Sequence, residues 1–174
     1  MASMSERTYY QYQLLRKIRF TPLYNAIYLF LGIVSLGAAI WSDGISGVLY
    51  VLLAWGLLLW LHYVSSRTIF LMDQYTYRKR WGFRSKLPWI GFLPLDQQYV
   101  GYRYWKRINL LIFHITFLII IVLIPFVPIG LALQFIFWHI WISGPRLYSM
   151  ITAAMIREEK LIKLDNSEFL IYKA

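Results

Sequence analysis

The sequence contains no cysteine among its 174 residues, and it has few acidic residues. The lack of cysteine excludes disulfide bonds, thiolate metal sites and thiol redox chemistry. Eight Asp and Glu stand against 18 Lys and Arg, so the net charge is +10. The chain has no G-x-S-x-G, P-loop or H-E-x-x-H motif and no paired carboxylates in an apolar setting. We therefore predict that the protein is not an enzyme and has no metal site.

Apolar residues are abundant: 59% of the chain is hydrophobic and 19% is aromatic, well above the apolar share of a soluble domain. They are concentrated in four stretches, 23–41, 46–65, 108–125 and 128–148. A helix needs roughly 20 apolar residues to cross the hydrocarbon of a bilayer. The sequence therefore predicts an all-α polytopic membrane protein with four transmembrane helices.

Short links separate the stretches within each half of the chain. The residues SDGI follow the first stretch, and Phe126 and Val127 stand between Pro125 and Pro128. Links of this size join antiparallel helices, so we predict two hairpins. The predicted organisation is an N-terminal segment (1–22, with 1–3 as a cloning scar), a hairpin (23–65), a basic aromatic loop (66–107), a second hairpin (108–148) and a tail (149–174).

All 18 basic residues lie on one predicted side of the membrane, and the two hairpin turns carry only Asp43 as a charge. They are Arg7, Arg16, Lys17 and Arg19 before the first stretch; Arg67, Arg78, Lys79, Arg80, Arg84, Lys86, Arg103, Lys106 and Arg107 between the second and third; and Arg146, Arg157, Lys160, Lys163 and Lys173 at the end of the fourth or after it. Basic residues in short loops stay cytoplasmic. We predict a plasma (inner) membrane protein with both termini in the cytoplasm.

The central loop is the predicted binding region for a partner protein or for anionic lipid headgroups, which attract basic residues at a membrane surface. Its candidate contacts are Arg78, Lys79, Arg80, Arg84, Lys86, Arg103, Lys106 and Arg107. Arg and aromatic residues together would also suit single-stranded nucleic acid. The membrane topology already accounts for these charges, so nucleic acid is the disfavoured partner.

Several segments outside the apolar stretches have their own patterns. The N-terminal segment 7–24 mixes aromatic and basic residues and is predicted to form an interfacial helix leading into the first span. Segments 67–73 and 75–83 are rich in β-branched and aromatic residues and are predicted to be short strands. Segment 87–95, apolar with two prolines, is predicted to pack on the bilayer or the bundle.

The tail also carries a strand pattern. Residues 160–173 predict two strands around a polar turn at Asp165, Asn166 and Ser167. Together with the central loop, these strands would form a small cytoplasmic β-element. The alternative is a tail helix that continues from the sequence MITAAMIREEK.

Three histidines, one in each of three apolar stretches, are the candidate cofactor residues. His62 and His114 lie at similar depths near the basic side at about 1.5 Å of rise per residue, and His139 lies nearer the middle. Two facing imidazoles can ligate haem iron, so a b-type haem on His62 and His114 is one interpretation. The others are that the pair is a proton-sensitive switch and that these histidines are hydrogen-bonded packing residues.

Small and polar residues within the stretches predict close helix packing. The predicted packing positions are Gly32, Ser35, Ala39, Gly47, Ala54 and Gln134. Small side chains let membrane helices approach closely, and an amide can form hydrogen bonds between them. The contact they make is either within the bundle or with another subunit.

The short basic lead-in RKIRFTPLY, followed by a tight hairpin and then by cytoplasmic sequence, resembles the small inner-membrane subunits of conjugative type IV secretion channels. The resemblance covers about 50 residues, and the second hairpin departs from it. It implies a non-catalytic accessory subunit of a multiprotein membrane machine in secretion or DNA transfer. The alternatives are a small haem or redox protein and a small carrier or pore. An ion-driven carrier is disfavoured because the stretches lack an internal Asp, Glu or Lys.

Overall fold

The structure is a computed structural model and describes residues 12–72, 80–84, 87–95, 98–165 and 168–173. It is mostly helical, with a small antiparallel sheet. The four long helices are α1 (Pro22–Asp43), α2 (Ile45–Met72), α3 (Tyr102–Leu123) and α4 (Ile129–Ala154). The strands are β1 (Leu14–Arg19), β2 (Trp81–Arg84), β3 (Gly91–Pro94), β4 (Tyr99–Gly101), β5 (Lys160–Asp165) and β6 (Glu168–Lys173).

The ends of α1 follow local sequence signals. Thr21 is the N-cap, and its side chain accepts a hydrogen bond of 3.2 Å from the amide of Tyr24. Pro22 stands at the first helical position, where its missing N–H has no cost. The helix ends at Gly44, whose φ of +61° favours glycine. Since Gly44 is the only residue between α1 and α2, the two form the predicted tight connection.

A second tight connection joins α3 to α4. A 3-10 turn at Ile124–Phe126 includes Pro125, and Pro128 is the N-cap residue of α4. We call this end of the bundle, together with Gly44, the turn end. The opposite end, against which the strands pack, is the sheet end.

Three helical segments in the described part of the chain are long and apolar enough to cross a membrane: Pro22–Asp43, Ile45–Met72 and Tyr102–Phe126. The fourth helix, α4, is equally long but carries Gln134, His139 and Arg146. Half of its residues are buried, against three of 22 in α1. These polar side chains are tolerated in α4 because they lie on its buried side.

The predicted strand at 67–73 is wrong. Residues 67–72 continue α2, which has 28 residues and therefore extends about 12 Å beyond the length that hydrocarbon requires. Ile69 and Phe70 are buried in the core at the sheet end. Their packing there outweighs the β propensity of the segment, which is only a weak preference.

The four-stranded sheet has the order β1-β6-β5-β4, with antiparallel neighbours throughout. The tail prediction is confirmed, because β5 and β6 pair as a hairpin from Lys160 with Lys173 to Asp165 with Glu168. The predicted N-terminal interfacial helix is wrong. Residues 14–19 form β1, which pairs with β6 at the other end of the chain.

The central loop contributes a two-stranded hairpin, in which Trp81 of β2 lies opposite Pro94 of β3. Of the predicted strand at 75–83, residues 75–79 lie outside the described residues. Trp89, Ile90 and Leu93 are buried. Segment 87–95 therefore packs against the helices. This is one of the two predicted alternatives, packing on the bundle.

Two hydrophobic clusters hold the fold together. The larger joins the strands to the sheet end of the helices through fully buried side chains such as Trp89, Trp105 and Phe169. The smaller lies among the helices toward the turn end and includes Leu58 and Phe135. Burial of each such side chain contributes roughly 1.5–3 kcal/mol, so the strands and helices stabilise one another.

Candidate functional site

The face of α4 that contacts α1 is held by paired polar groups. The Ser35 hydroxyl donates to Gln134 Oε1 at 2.9 Å, and Trp138 Nε1 donates to the same oxygen at 3.1 Å. Both bonds are buried. Gln134, predicted to act as a packing residue, thus satisfies two donors from two helices.

A second pair of polar contacts lies nearer the sheet end. The Tyr28 hydroxyl donates to the carbonyl of Trp141, and Trp141 Nε1 donates to the carbonyl of Tyr28, both at 2.9 Å. The two rings stack with centroids 3.9 Å apart. This reciprocal arrangement fixes the rotation of α1 against α4.

The small residues predicted to pack lie inside the bundle. A Cβ at Gly32 would stand 3.3 Å from the ring of Trp138. A Cβ at Gly47 would collide with the backbone of Ala39, so α1 and α2 touch there. Ala54 is fully buried. These positions therefore serve contacts within one chain.

The other face of α4 brings two histidines together. His62 Nε2 and His139 Nδ1 are 3.4 Å apart, and both side chains are buried. The imidazole of His139 also lies against Phe113 and Phe117. Helices α2, α3 and α4 thus meet at this pair.

The predicted pairing of His62 with His114 is wrong. His114 is exposed on α3, where its Nδ1 lies 2.6 Å from the carbonyl oxygen of Leu110. Counting residues from the basic side gave the depth of each histidine but not the direction in which it points. The partner of His62 is His139. Depth alone does not predict this pair, because it places His139 nearer the middle than His62.

The histidine pair does not fit a haem. The ring nitrogens of His62 and His139 are 3.4 Å apart, and both side chains are enclosed by the helices with no space around them for a porphyrin ring. The adjoining cavity, at about 10 Å³, has room for about one water molecule. The residues therefore match the packing interpretation rather than haem ligation.

Arg146, counted with the basic residues of the predicted cytoplasmic side, is buried, with 4% of its surface exposed. Its Nη2 donates to the carbonyl of Ile90 in the central loop. The approach needs glycine at position 91: φ there is +116°, and a Cβ would collide with the guanidinium. The loop is thus shaped around Arg146.

A small cavity beside Arg146 collects buried polar atoms that lack partners. Its polar lining consists of His62, Asn109, Ser143 and Arg146, and the rest is apolar. His62 Nδ1, Asn109 Oδ1 and Arg146 Nε have no hydrogen-bond partner. Most buried polar groups are paired, so this cluster marks a candidate site. The signal in the sequence was an arginine within an apolar stretch.

A larger, half-open cavity of about 390 Å³ lies at the sheet end, between the start of α3 and the segment from α4 to β5. Its floor is Tyr102, with Lys160 Nζ 4.5 Å from the ring centroid. Lys160 donates to the carbonyls of Ala153 and Ile156 and so caps α4, and burial lowers its pKa. On the rim, Arg103 is paired with Glu159 at 3.0 Å.

The loop residues predicted to bind a partner or lipid differ in their exposure and in whether they have an acidic partner. Arg78, Lys79 and Lys86 lie outside the described residues, Arg80 is exposed and Arg84 is half-buried. Arg103 is exposed but paired with Glu159. Lys106 and Arg107 are exposed in the first turns of α3. Within the described residues neither has an acidic partner.

No protein-family model matches the chain, and neither does a curated protein sequence or a solved structure.

Proposed function

We propose that the protein is a non-catalytic integral membrane component that binds anionic groups at the membrane surface through a basic layer at the sheet end. All four helices cross the bilayer, and both termini lie in the cytoplasm. The first ligand is the headgroup of an anionic lipid, and an acidic partner protein is the alternative. The resemblance to conjugative channel subunits remains a prediction within this proposal.

One observation carries the proposal: unpaired basic side chains are concentrated at the sheet end. Arg16, Lys106, Arg107 and Arg157 are exposed there and have no acidic partner among the described residues. By contrast, Lys17 and Arg19 share Glu168, and Lys173 contacts Glu158. The unpaired residues are thus available for external anions.

The helix lengths support a position of these charges beside the headgroups. Helices α2 and α3 continue past the predicted hydrocarbon limits, and Lys106 and Arg107 lie in the first two turns of α3. At the turn end, Trp41 and Phe126 are 92% and 81% exposed. Exposed aromatic rings are typical of the opposite interface.

The decisive test compares two variants with the same loss of charge. In the first, Lys106, Arg107 and Arg157 become Gln; in the control, the paired residues Lys17, Arg19 and Lys173 become Gln. Each basic residue near the surface contributes about 1 kcal/mol to binding anionic lipid. We expect the first variant to lose as much as about 100-fold in affinity for phosphatidylglycerol, measured by native mass spectrometry from mixed-lipid nanodiscs.

The control variant should lose far less affinity, because its residues are already neutralised by Glu168 and Glu158. Equal losses of lipid affinity in the two variants would mean that binding depends on net charge alone and not on the basic layer. If neither variant loses lipid but the first loses a co-purifying protein, the acidic-partner alternative holds.

A further inference from the structure

Arg146 is a buried cation without a counter-charge in the described chain. The acidic residues there lie elsewhere: Glu158, Glu159 and Glu168 pair with basic residues of the sheet end, Asp165 is exposed at the end of β5, and Asp43 lies at the turn end. The carbonyl of Ile90 provides a dipole but no net charge. An ion in the interior is costly unless an opposite charge accompanies it.

The cavity beside Arg146 provides a place for that charge. Arg146 and His62 both line it, they are 4% and 2% exposed, and each carries a buried nitrogen without a partner, Arg146 Nε and His62 Nδ1. Its size, about 10 Å³, accepts a single atom or a water molecule and excludes phosphate or sulfate. The remaining wall is mostly apolar, which strengthens electrostatic attraction.

We propose that this cavity binds a small monovalent inorganic anion of the halide class. One negative charge balances the guanidinium, and Arg146 Nε–H donates to the ion. His62 supplies a second donor when its proton is on Nδ1, which leaves His62 Nε2 to accept from His139 Nδ1. The 3.4 Å contact between the two histidines accommodates this tautomer.

The carbonyl oxygen of Asn109 repels an anion and so lowers the affinity of the cavity for it. Asn109 lines the same cavity, its Oδ1 is a buried acceptor without a partner, and its Nδ2 donates to the carbonyl of Trp105 at 2.9 Å. Rotating the amide would bring Nδ2 toward the ion and break the bond to Trp105. A carboxylate at this position would instead replace the ion as the counter-charge of Arg146.

The first experiment measures thermal unfolding of the full chain in detergent, with bromide exchanged for gluconate at constant ionic strength. A ligand that binds only the folded state raises the midpoint by about 3–5 °C for each tenfold rise in concentration above its dissociation constant. We expect this shift in the wild type and in Arg107→Gln, an exposed control. Arg146→Gln and Asn109→Asp should show no bromide dependence, and Asn109→Asp should remain folded without it.

The second experiment locates the ion directly by anomalous scattering from wild-type crystals grown with bromide, which does not depend on the folding of any variant. A bromide peak within hydrogen-bond distance of Arg146 Nε supports the site. A water molecule there, or wild-type midpoints equal in bromide and gluconate, would overturn it. Neither result bears on lipid binding at the sheet end.

Discussion

The two faces of α4 differ in whether their buried polar atoms have hydrogen-bond partners. Toward α1, the side chains of Gln134, Trp138 and Trp141 all have hydrogen-bond partners. Toward α2 and α3, His139 Nε2 and Arg146 Nε have none. Gln134 and Trp138 on one face are buried, as are His139 and Arg146 on the other, so burial alone does not explain the difference.

The difference separates a structural contact from a candidate binding site. Hydrogen bonds between membrane helices are worth about 1 kcal/mol each, and those toward α1 set one arrangement of the helices. An unpaired buried donor costs roughly 1–3 kcal/mol. Several such atoms around one cavity are consistent with a ligand that pairs them, as proposed for Arg146.

The largest effect on stability should come from substituting Gly91. The guanidinium of Arg146 lies so close to this residue that a Cβ would collide with it. Gly91→Ala introduces a side chain at φ +116° and a collision with the guanidinium. We expect a loss of about 2–3 kcal/mol in stability, from backbone strain and displacement of Arg146. Chemical unfolding in detergent measures it. Gly37→Ala is the control, since a Cβ there meets nothing within 4 Å, and it should be neutral or stabilising.

A pair of substitutions compares a buried polar group that has partners, on α4, with one that has none, on α3. Gln134→Leu removes the acceptor of Ser35 and Trp138 and should cost about 1–2 kcal/mol. Thr116→Val removes a buried hydroxyl that has no partner, so it should cost about 0.5 kcal/mol or less. Equal unfolding free energies for the two variants would remove the distinction between paired and unpaired buried polar groups.

At the turn end, the carboxylate of Asp43 from the first hairpin lies against the start of the second hairpin's α4. A Cβ at Gly130 would lie 2.6 Å from Asp43 Oδ2, so this carboxylate borders the first turn of α4. A helix N-terminus carries partial positive charge, and Pro128 offers no side-chain cap. Asp43→Asn should therefore lower the unfolding free energy by about 0.3–1 kcal/mol. Ser42→Ala, which leaves the charge in place, should cost less.

The sequence predicts the helical part of the fold well because its signals are local. Long apolar runs, Gly44 and the prolines at 125 and 128 define helices and tight connections without reference to distant residues. Strand β1 lacks such a signal. It forms because β6, about 150 residues away, supplies its hydrogen bonds, and no local pattern carries that information.

The candidate site was only partly predictable for a related reason. Hydropathy gives the depth of a residue in the bundle but not the direction in which it points, so His62 was matched with His114 instead of His139. Arg146 was counted with the other basic residues, although its neighbours Ile90 and Gly91 enclose it. Helix rotation and loop position depend on packing across the whole chain.

The smallest expected effect concerns β1, which is held by charge at the solvent-exposed edge of the sheet rather than by deep burial. Hydrogen bonds and charge from Lys17 and Arg19 hold the pKa of Glu168 below its usual value. A lowered folded-state pKa stabilises the fold above the unfolded-state pKa, about 4.5, and this contribution is lost as the pH falls through the folded-state value. Wild type should therefore unfold at a higher temperature than Glu168→Gln near pH 7, and the difference should vanish in strong acid. A difference that persists in acid would assign the role of Glu168 to packing.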